Sequence, residues 1–346
     1  MSQNVVMPYR FATGGGGVWQ ELDRITLSGT STTMEIGYAD KERVLILIDW
    51  ARDSATADPL LQLGDSSVAS GSVYARRLND GGGGSDSVND TVNYISKWAT
   101  GSGSDVRNFE IHHMANQAGY EKMLLGNGVF SGATGSSTSP SLINNAGKWA
   151  ETSNQAGYVK YDGSGGTTFS DGSEILVLGY DSTDTSGGFF GELTNDDFSS
   201  TTDTYSTSTF DQKKYNYFAG WVIGDSGAEL CLRVNGVTTG TPYSARRNND
   251  GSSSDFSSDN FMKINASGDT SDITFMSGYF TNVTANEKLF FAQQISGQGN
   301  GTGDAPRRSI STGKWADTSN AITQLDFFNN GTGDFTSGQI AVWGND

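Results

Sequence analysis

Apolar residues in this chain gather in short runs: VLILIDW (Val44 to Trp50), PLLQLG (Pro59 to Gly64), NYISKW (Asn93 to Trp98), EILVLGY (Glu174 to Tyr180), YNYFAGWVIG (Tyr215 to Gly224), ELCLRV (Glu229 to Val234), SDITFMSGYF (Ser271 to Phe280) and IAVW (Ile340 to Trp343). Clusters of Gly, Ser, Asn and Asp separate them. The runs are rich in branched and aromatic residues and too short for most helices, and no stretch keeps a 3.6-residue apolar period over three turns. The pattern predicts an all-β chain of antiparallel β-sandwich, jelly-roll-like units. In ELCLRV, Leu230, Leu232 and Val234 alternate with Cys231 and Arg233, as in a strand with one buried face.

The same landmarks occur twice. GKWAETSN at Gly147 returns as GKWADTSN at Gly313, seven identities in eight at an offset of 166. Glu121-Lys122 matches Glu287-Lys288 at that offset, YARRLNDGGGGSD from Tyr74 matches YSARRNNDGSSSD from Tyr243, and EILVLGYD from Glu174 resembles QIAVWGND at Gln339. Four matches in one order predict an internal duplication of whole domains. The expected division is a first sandwich over residues 1–181, a short polar linker over 182–188 and a second sandwich over 189–346, with the two free to pack together.

Composition narrows the function. Acids outnumber bases 39 to 22, for a net charge of −17, and 29 of the acids are aspartate, which suits solvated turns. No basic stripe is present to bind a phosphate backbone, so nucleic acid is not an expected partner. The single Cys231 excludes an intrachain disulfide and reads as a buried small hydrophobe. The N-terminal MSQNVVMPYRF lacks the features of a secretory signal and the apolar runs are too short to span a membrane as a helix, so synthesis in the cytoplasm and no membrane span are expected.

Little points to catalysis. His112 and His113 are the whole imidazole supply, and adjacent strand residues face opposite ways. Glu110, with Asp49, Arg52 and Asp53, is the nearest approach to a carboxylate pair, placed at strand ends where charge is ordinarily solvated. The segments Asn79 to Asp90 and Asn248 to Asn260 read as long loops, with Asp80, Asp86 and Asp90 repeated as Asp250, Asp255 and Asp259. These are candidates for calcium, although the spacing is not that of an EF-hand. No other cofactor is expected. The arginine pairs Arg76-Arg77, Arg246-Arg247 and Arg307-Arg308 read either as forks tying a loop carboxylate to the sandwich or as assembly contacts. Trp98, Trp149 and Trp315 each follow a lysine and read as core or domain-edge residues.

The segment Val18 to Ser54, followed by Leu61, Gly64 and Tyr74 to Arg77, resembles uncharacterised proteins encoded in tailed-phage and marine-virus genomes. EKMLLGNG, GKWAETSN and EILVLGYD, with LRVNG, YSARR, NGTGDAPRRS, GKWADTSN and NNGTGDF, resemble the same group. The resemblance implies a virion component built from jelly-roll-like units, such as a head decoration protein, head fibre or tail-associated protein, and it brings no catalytic residues. Ser136 to Leu142 lacks the pattern kept around Asp304 to Arg308, so the halves are expected to touch different things.

The expected function is therefore a non-enzymatic structural protein of a bacteriophage particle, made in the host cytoplasm and located in the virion. It is expected to assemble as a homo-oligomer, a trimer or larger, with capsid or tail proteins as partners. Two alternatives remain from the sequence. One is a carbohydrate-binding module that takes host surface glycans; the other is a double-jelly-roll capsid protein, which would pack two sandwiches side by side.

Overall fold

The computed structural model describes residues 19–54, 58–71, 73–79, 87–97, 106–181, 184, 188–225, 229–249, 252–264, 273–297 and 306–346. In the first half the strands are β1 (Gln20–Thr26), β2 (Thr33–Gly37), β3 (Arg43–Ser54), β4 (Leu60–Gly64), β5 (Tyr74–Asn79), β6 (Ser87–Val92), β7 (Ser96–Lys97), β8 (Arg107–Ala115), β9 (Lys122–Phe130), β10 (Ser141–Trp149), β11 (Tyr158–Asp162), β12 (Thr168–Phe169) and β13 (Glu174–Tyr180). The second half carries β14 (Gly191–Phe198), β15 (Thr204–Ser206), β16 (Tyr215–Gly224), β17 (Leu230–Val234), β18 (Tyr243–Asn249), β19 (Ser252–Asp259), β20 (Met262–Lys263), β21 (Ile273–Thr281), β22 (Lys288–Ser296), β23 (Arg307–Trp315), β24 (Leu325–Asn329) and β25 (Phe335–Asn345). All pairing between them is antiparallel, and the chain is all-β. Among the described residues no helix is long and apolar enough to cross a membrane.

Each half is a sandwich of one large and one small sheet. The first large sheet runs β1-β13-β3-β8-β9-β10-β5-β6, with β12 alongside β3, and faces the small sheet β2-β11-β4-β7. Taken alone, β1-β13-β3-β8 over β2-β11-β4-β7 is the two-sheet winding of a jelly roll, and the hairpins β9–β10 and β5–β6 widen one sheet. The second half has the same order: β14-β25-β16-β21-β22-β23-β18-β19 over β15-β24-β17-β20.

Local devices recur with the strand order. The Tyr74 hydroxyl donates to Leu63 O and accepts from Leu63 N at 3.1 Å; Tyr243 meets Val234 O and N at 3.4 and 3.1 Å. Asn116 Oδ1 accepts from Ala156 N at 2.6 Å, tying two distant connections together, as Asn282 Oδ1 does from Ile322 N at 2.7 Å. The glycines of the repeated GKW motif have one cause. A Cβ on Gly147 would run into Ile95 beside β7, and one on Gly313 would strike Met262 of β20, so the small sheet rests on bare backbone.

The long apolar runs follow from a third core. Val44, Ile46, Ile48 and Trp50 point into the first sandwich, while Leu45 and Leu47 point out of it. The outward residues are nonetheless buried, because the two large sheets stack face to face. Leu45, Leu47, Phe109, Ile111, Leu176 and Leu178 pack against Tyr215, Tyr217, Ala219, Tyr279, Phe291 and Trp343. The molecule is thus four layers deep, small–large–large–small. Strands covered on both faces read as unbroken apolar runs, as these do.

Two expectations are corrected. β17 has both faces buried: Leu230, Leu232 and Val234 enter the core, and Cys231 and Arg233 are covered as well, with the Arg233 guanidinium 3.4 Å from the Phe328 ring centroid. The second predicted long loop is largely strand and the described end of the first is strand as well, since Ser252–Asp259 and Ser87–Val92 form outer strands of the large sheets. Their polar composition reflects an edge position, where strands carry charge instead of apolar side chains.

Candidate functional site

Glu110 is not at a solvated strand end. It lies on the inner face of β8 with no exposure, and its Oε1 accepts from Trp50 Nε1 at 2.7 Å and from the Tyr161 hydroxyl. His112, two residues on and on the same face, places Nε2 3.0 Å from Oε2 of Glu110. Burial, and then the Glu110 charge, push the Tyr161 phenol well above its usual range. The corresponding second-half residues, matched by strand register, are Val222, Met276, Gly278 and Phe327, all apolar. The first half therefore closes its core with a hydrogen-bonded polar set where the second uses carbon.

Of the other residues grouped with Glu110, Arg52 comes near its cluster, its charge acting on the Tyr161 phenol, while Asp49 and Asp53 do not join it. Asp49 is on the opposite face of β3, 3% exposed and 3.6 Å from Arg107, and burial raises its pKa. Arg52 is also buried, which lowers its pKa, and exposed Asp53 accepts from Thr168 Oγ1 at 3.2 Å. His113 faces outward toward Tyr279 at 6.1 Å between ring centroids, and burial lowers its pKa to about 4.

The arginine pairs divide. Arg246 forks onto Asp255 at 2.6 and 2.8 Å across the β18–β19 hairpin, while Arg247 approaches Glu229 at 3.7 Å and lies over Phe256. Arg76 lies over Tyr94, Arg77 is exposed, and Arg307 and Arg308 begin β23. Of the aspartates considered for calcium, Asp255 is held by Arg246 and Asp259 accepts from Asn260 N at 2.7 Å. Asp80, Asp86 and Asp250 lie outside the described residues, as do Trp98 and the side chain of Asp90. Among the described residues no three His, Cys, Asp or Glu gather as metal ligands. Trp149 and Trp315 are buried in the two cores.

The outer faces of the large sheets hold the features that sequence reading missed. The halves do not overlap squarely. The first half buries the Phe130 end of its β9–β10 hairpin, with Val129 and Leu142, whereas the second buries the opposite, Lys288 end of β22–β23, with Leu289 and Phe291. Phe109 stacks on Tyr215 at 6.1 Å. Lys314 is fully buried beneath the Ser131–Pro140 connection, donating to Ala133 O at 2.6 Å and Ser131 Oγ at 3.1 Å; Ser131 Oγ in turn donates to Glu287 at 3.0 Å. Desolvation pulls the Lys314 pKa down, with Glu287 opposing.

A second cluster seals the far side of the same interface. Glu174 accepts from the Tyr215 hydroxyl at 2.8 Å and pairs with Lys214 at 3.0 Å. Burial raises its pKa, but Lys214, Thr26 and Tyr215 outweigh that and hold it below the usual carboxylate range. The described part of the connection between halves is also anchored, with Lys41 Nζ 2.8 Å from Asp184 and Phe189 N donating to Trp19 O at 2.6 Å.

The remainder of these faces is open. In the first half the Lys122 end carries Tyr120, Met123 and Leu125 at 65%, 53% and 64% exposure; in the second, the Ser296 end carries Ile273 and Ile295 at 55% and 47%. A groove of about 260 Å³ lies beside Leu125, lined by Arg77, the cross-strand row Asn79, Asn144 and Asn127, and Gln293 of the second half. Asn144 Oδ1 is buried with no protein partner among the described residues. Compared with known proteins, the chain matches no family model, and no curated protein matches its sequence.

Proposed function

We propose that this chain is a non-enzymatic structural subunit of a bacteriophage particle, an exposed head-decoration, head-fibre or tail-associated protein that assembles through copies of itself and through capsid or tail proteins. The observation that carries this reading is the use of the large sheet as a docking face. One such face already joins two jelly rolls inside the chain, and parts of both faces remain apolar and open. The groups best suited to acid–base work, Glu110 and His112, are committed to each other and to Trp50 and Tyr161 inside the first sandwich. The arginine pairs enter this reading with Arg77, Arg307 and Arg308 nearest to outer surfaces, while Arg246 and Arg247 also serve their own hairpin. Mass spectrometry of purified particles tests it. Peptides of this chain at many copies per particle are expected; peptides found in infected cells but absent from washed particles would contradict it.

The amide-lined groove favours a second reading, binding of host surface glycans. Asn79, Asn127, Asn144 and Gln293 present paired donors and acceptors suited to sugar hydroxyls, with Leu125 as an apolar flank. A glycan array should then give binding that Asn127→Ala removes, and a blank array would exclude it. The double-jelly-roll capsid alternative called for two sandwiches packed side by side, and the halves pack through the broad faces of their large sheets; a particle map with this chain forming the shell itself, and not lying upon it, would favour that reading.

A further inference from the structure

The repeated Glu–Lys pair is in two different states within one molecule. In the second half Lys314 and Glu287 are 0% and 10% exposed, covered by the first half's Ser131–Pro140 connection. In the first half the matching pair, Lys148 and Glu121, stands 3.2 Å apart at 42% and 43% exposure. The apolar neighbours follow the same division. Leu289 and Phe291 are buried at 0% and 3%, whereas their counterparts Met123 and Leu125 are open; Val129 is buried at 0%, whereas its counterpart Ile295 is open. Three of the five exposed large hydrophobics among the described residues, Met123, Leu125 and Ile295, are thus the unused complements of a contact made once inside the chain, and Tyr120 and Ile273 flank them.

We infer that the Met123–Leu125 face of the first half, with Glu121 and Lys148, receives the Ile273–Ile295 face of a second copy of this chain. The contact repeats in trans the apposition of opposite hairpin ends that joins the two halves in cis. It rests on the reading of the chain as a self-assembling subunit. The occupant follows from continuity with the internal interface, because the surface that fits the covered Leu289–Phe291 end is a Val129-type end, and the second half leaves one such end open. Concavities of about 260 and 570 Å³ flank the Met123–Leu125 strip and give a partner's side chains somewhere to enter. Unlike ends meet, so the contact is heterologous, and it builds a ring or an open chain of copies instead of a closed two-fold pair.

Sedimentation velocity of the full chain tests this. Wild type should rise with concentration from the 36.7 kDa monomer to larger species. Leu125→Asp and Ile295→Asp should each weaken association by roughly tenfold or more, the effect of about 1.4 kcal/mol, with an unchanged circular dichroism spectrum. Lys148→Glu, a variant confined to an exposed pair, should weaken it as well. The decisive arm mixes the two aspartate variants. Each keeps the end that the other lacks, so the mixture should form one-to-one pairs that grow no further. Ile295→Asp protein that still self-associates like wild type would overturn the inference, since like ends would then be pairing, and so would a wild type that stays monomeric throughout. Undiminished association of all three variants would remove this face as the contact while leaving the self-assembling subunit intact.

Discussion

Glu110 ties together the polar set inside the first sandwich. It accepts from Trp50 and Tyr161 and has His112 Nε2 3.0 Å from its other oxygen, all without solvent exposure, and removing one member of such a set strands the others. Glu110→Ala should lower the unfolding free energy by about 3–5 kcal/mol. The double change Glu110→Met with Tyr161→Phe, which moves toward the second half's apolar solution, should lose less than the single variant in urea titrations. His113 supplies a pH dependence. Its folded pKa of about 4 lies below the ordinary value of 6.5. As pH falls, the unfolded chain takes the proton first, so stability is complete above about pH 6.5 and declines toward pH 4. At about 1.4 kcal/mol per pKa unit the loss is at most about 3.5 kcal/mol. His113→Leu should flatten that part of the stability–pH curve relative to wild type; parallel curves would show that His113 does not titrate between the sheets.

At the level of strands, the runs around Val44, Glu174, Tyr215 and Ile340 are legible because they are apolar without interruption, and that continuity also signals burial on both faces. The stacked large sheets were thus written into β3, β13, β16 and β25, although alternation in β17 pointed to a single covered face. The outer hairpins were not legible. Ser252–Asp259 has the composition of a loop and becomes a strand because β18 offers a partner along its whole length. β9 and β10 were equally hidden, since KMLLGNGVF and SLINNAGKW mix glycine and asparagine into strands whose outer faces are covered only in part, by the other half of the chain. Two substitutions separate these roles. Arg246→Ala breaks an exposed fork and should cost less than about 1 kcal/mol, whereas Gly313→Val drives a side chain into Met262 and should cost about 1–3 kcal/mol. Thermal melts of the two variants compare them directly.

The whole molecule is held by its middle layer pair. An interface of this apolar content, sealed by Lys314–Glu287 on one side and Glu174–Lys214 on the other, couples the halves energetically. Scanning calorimetry should show one cooperative transition for wild type, splitting into two when Phe291→Asp places a charge between the large sheets; two transitions in the wild type would mean that the halves are independent. The repeat of sequence landmarks and of strand order explains how one chain presents both partners of a contact. The open ends of the two faces extend that arrangement outward, as the proposed role of an assembling particle subunit requires. Cryo-electron microscopy of the native particle tests this account most directly. It predicts symmetry-related densities at the particle surface, each four sheets deep, with neighbouring copies joined through the outer faces of their large sheets. A particle map that accounts for every surface density without this chain would contradict it.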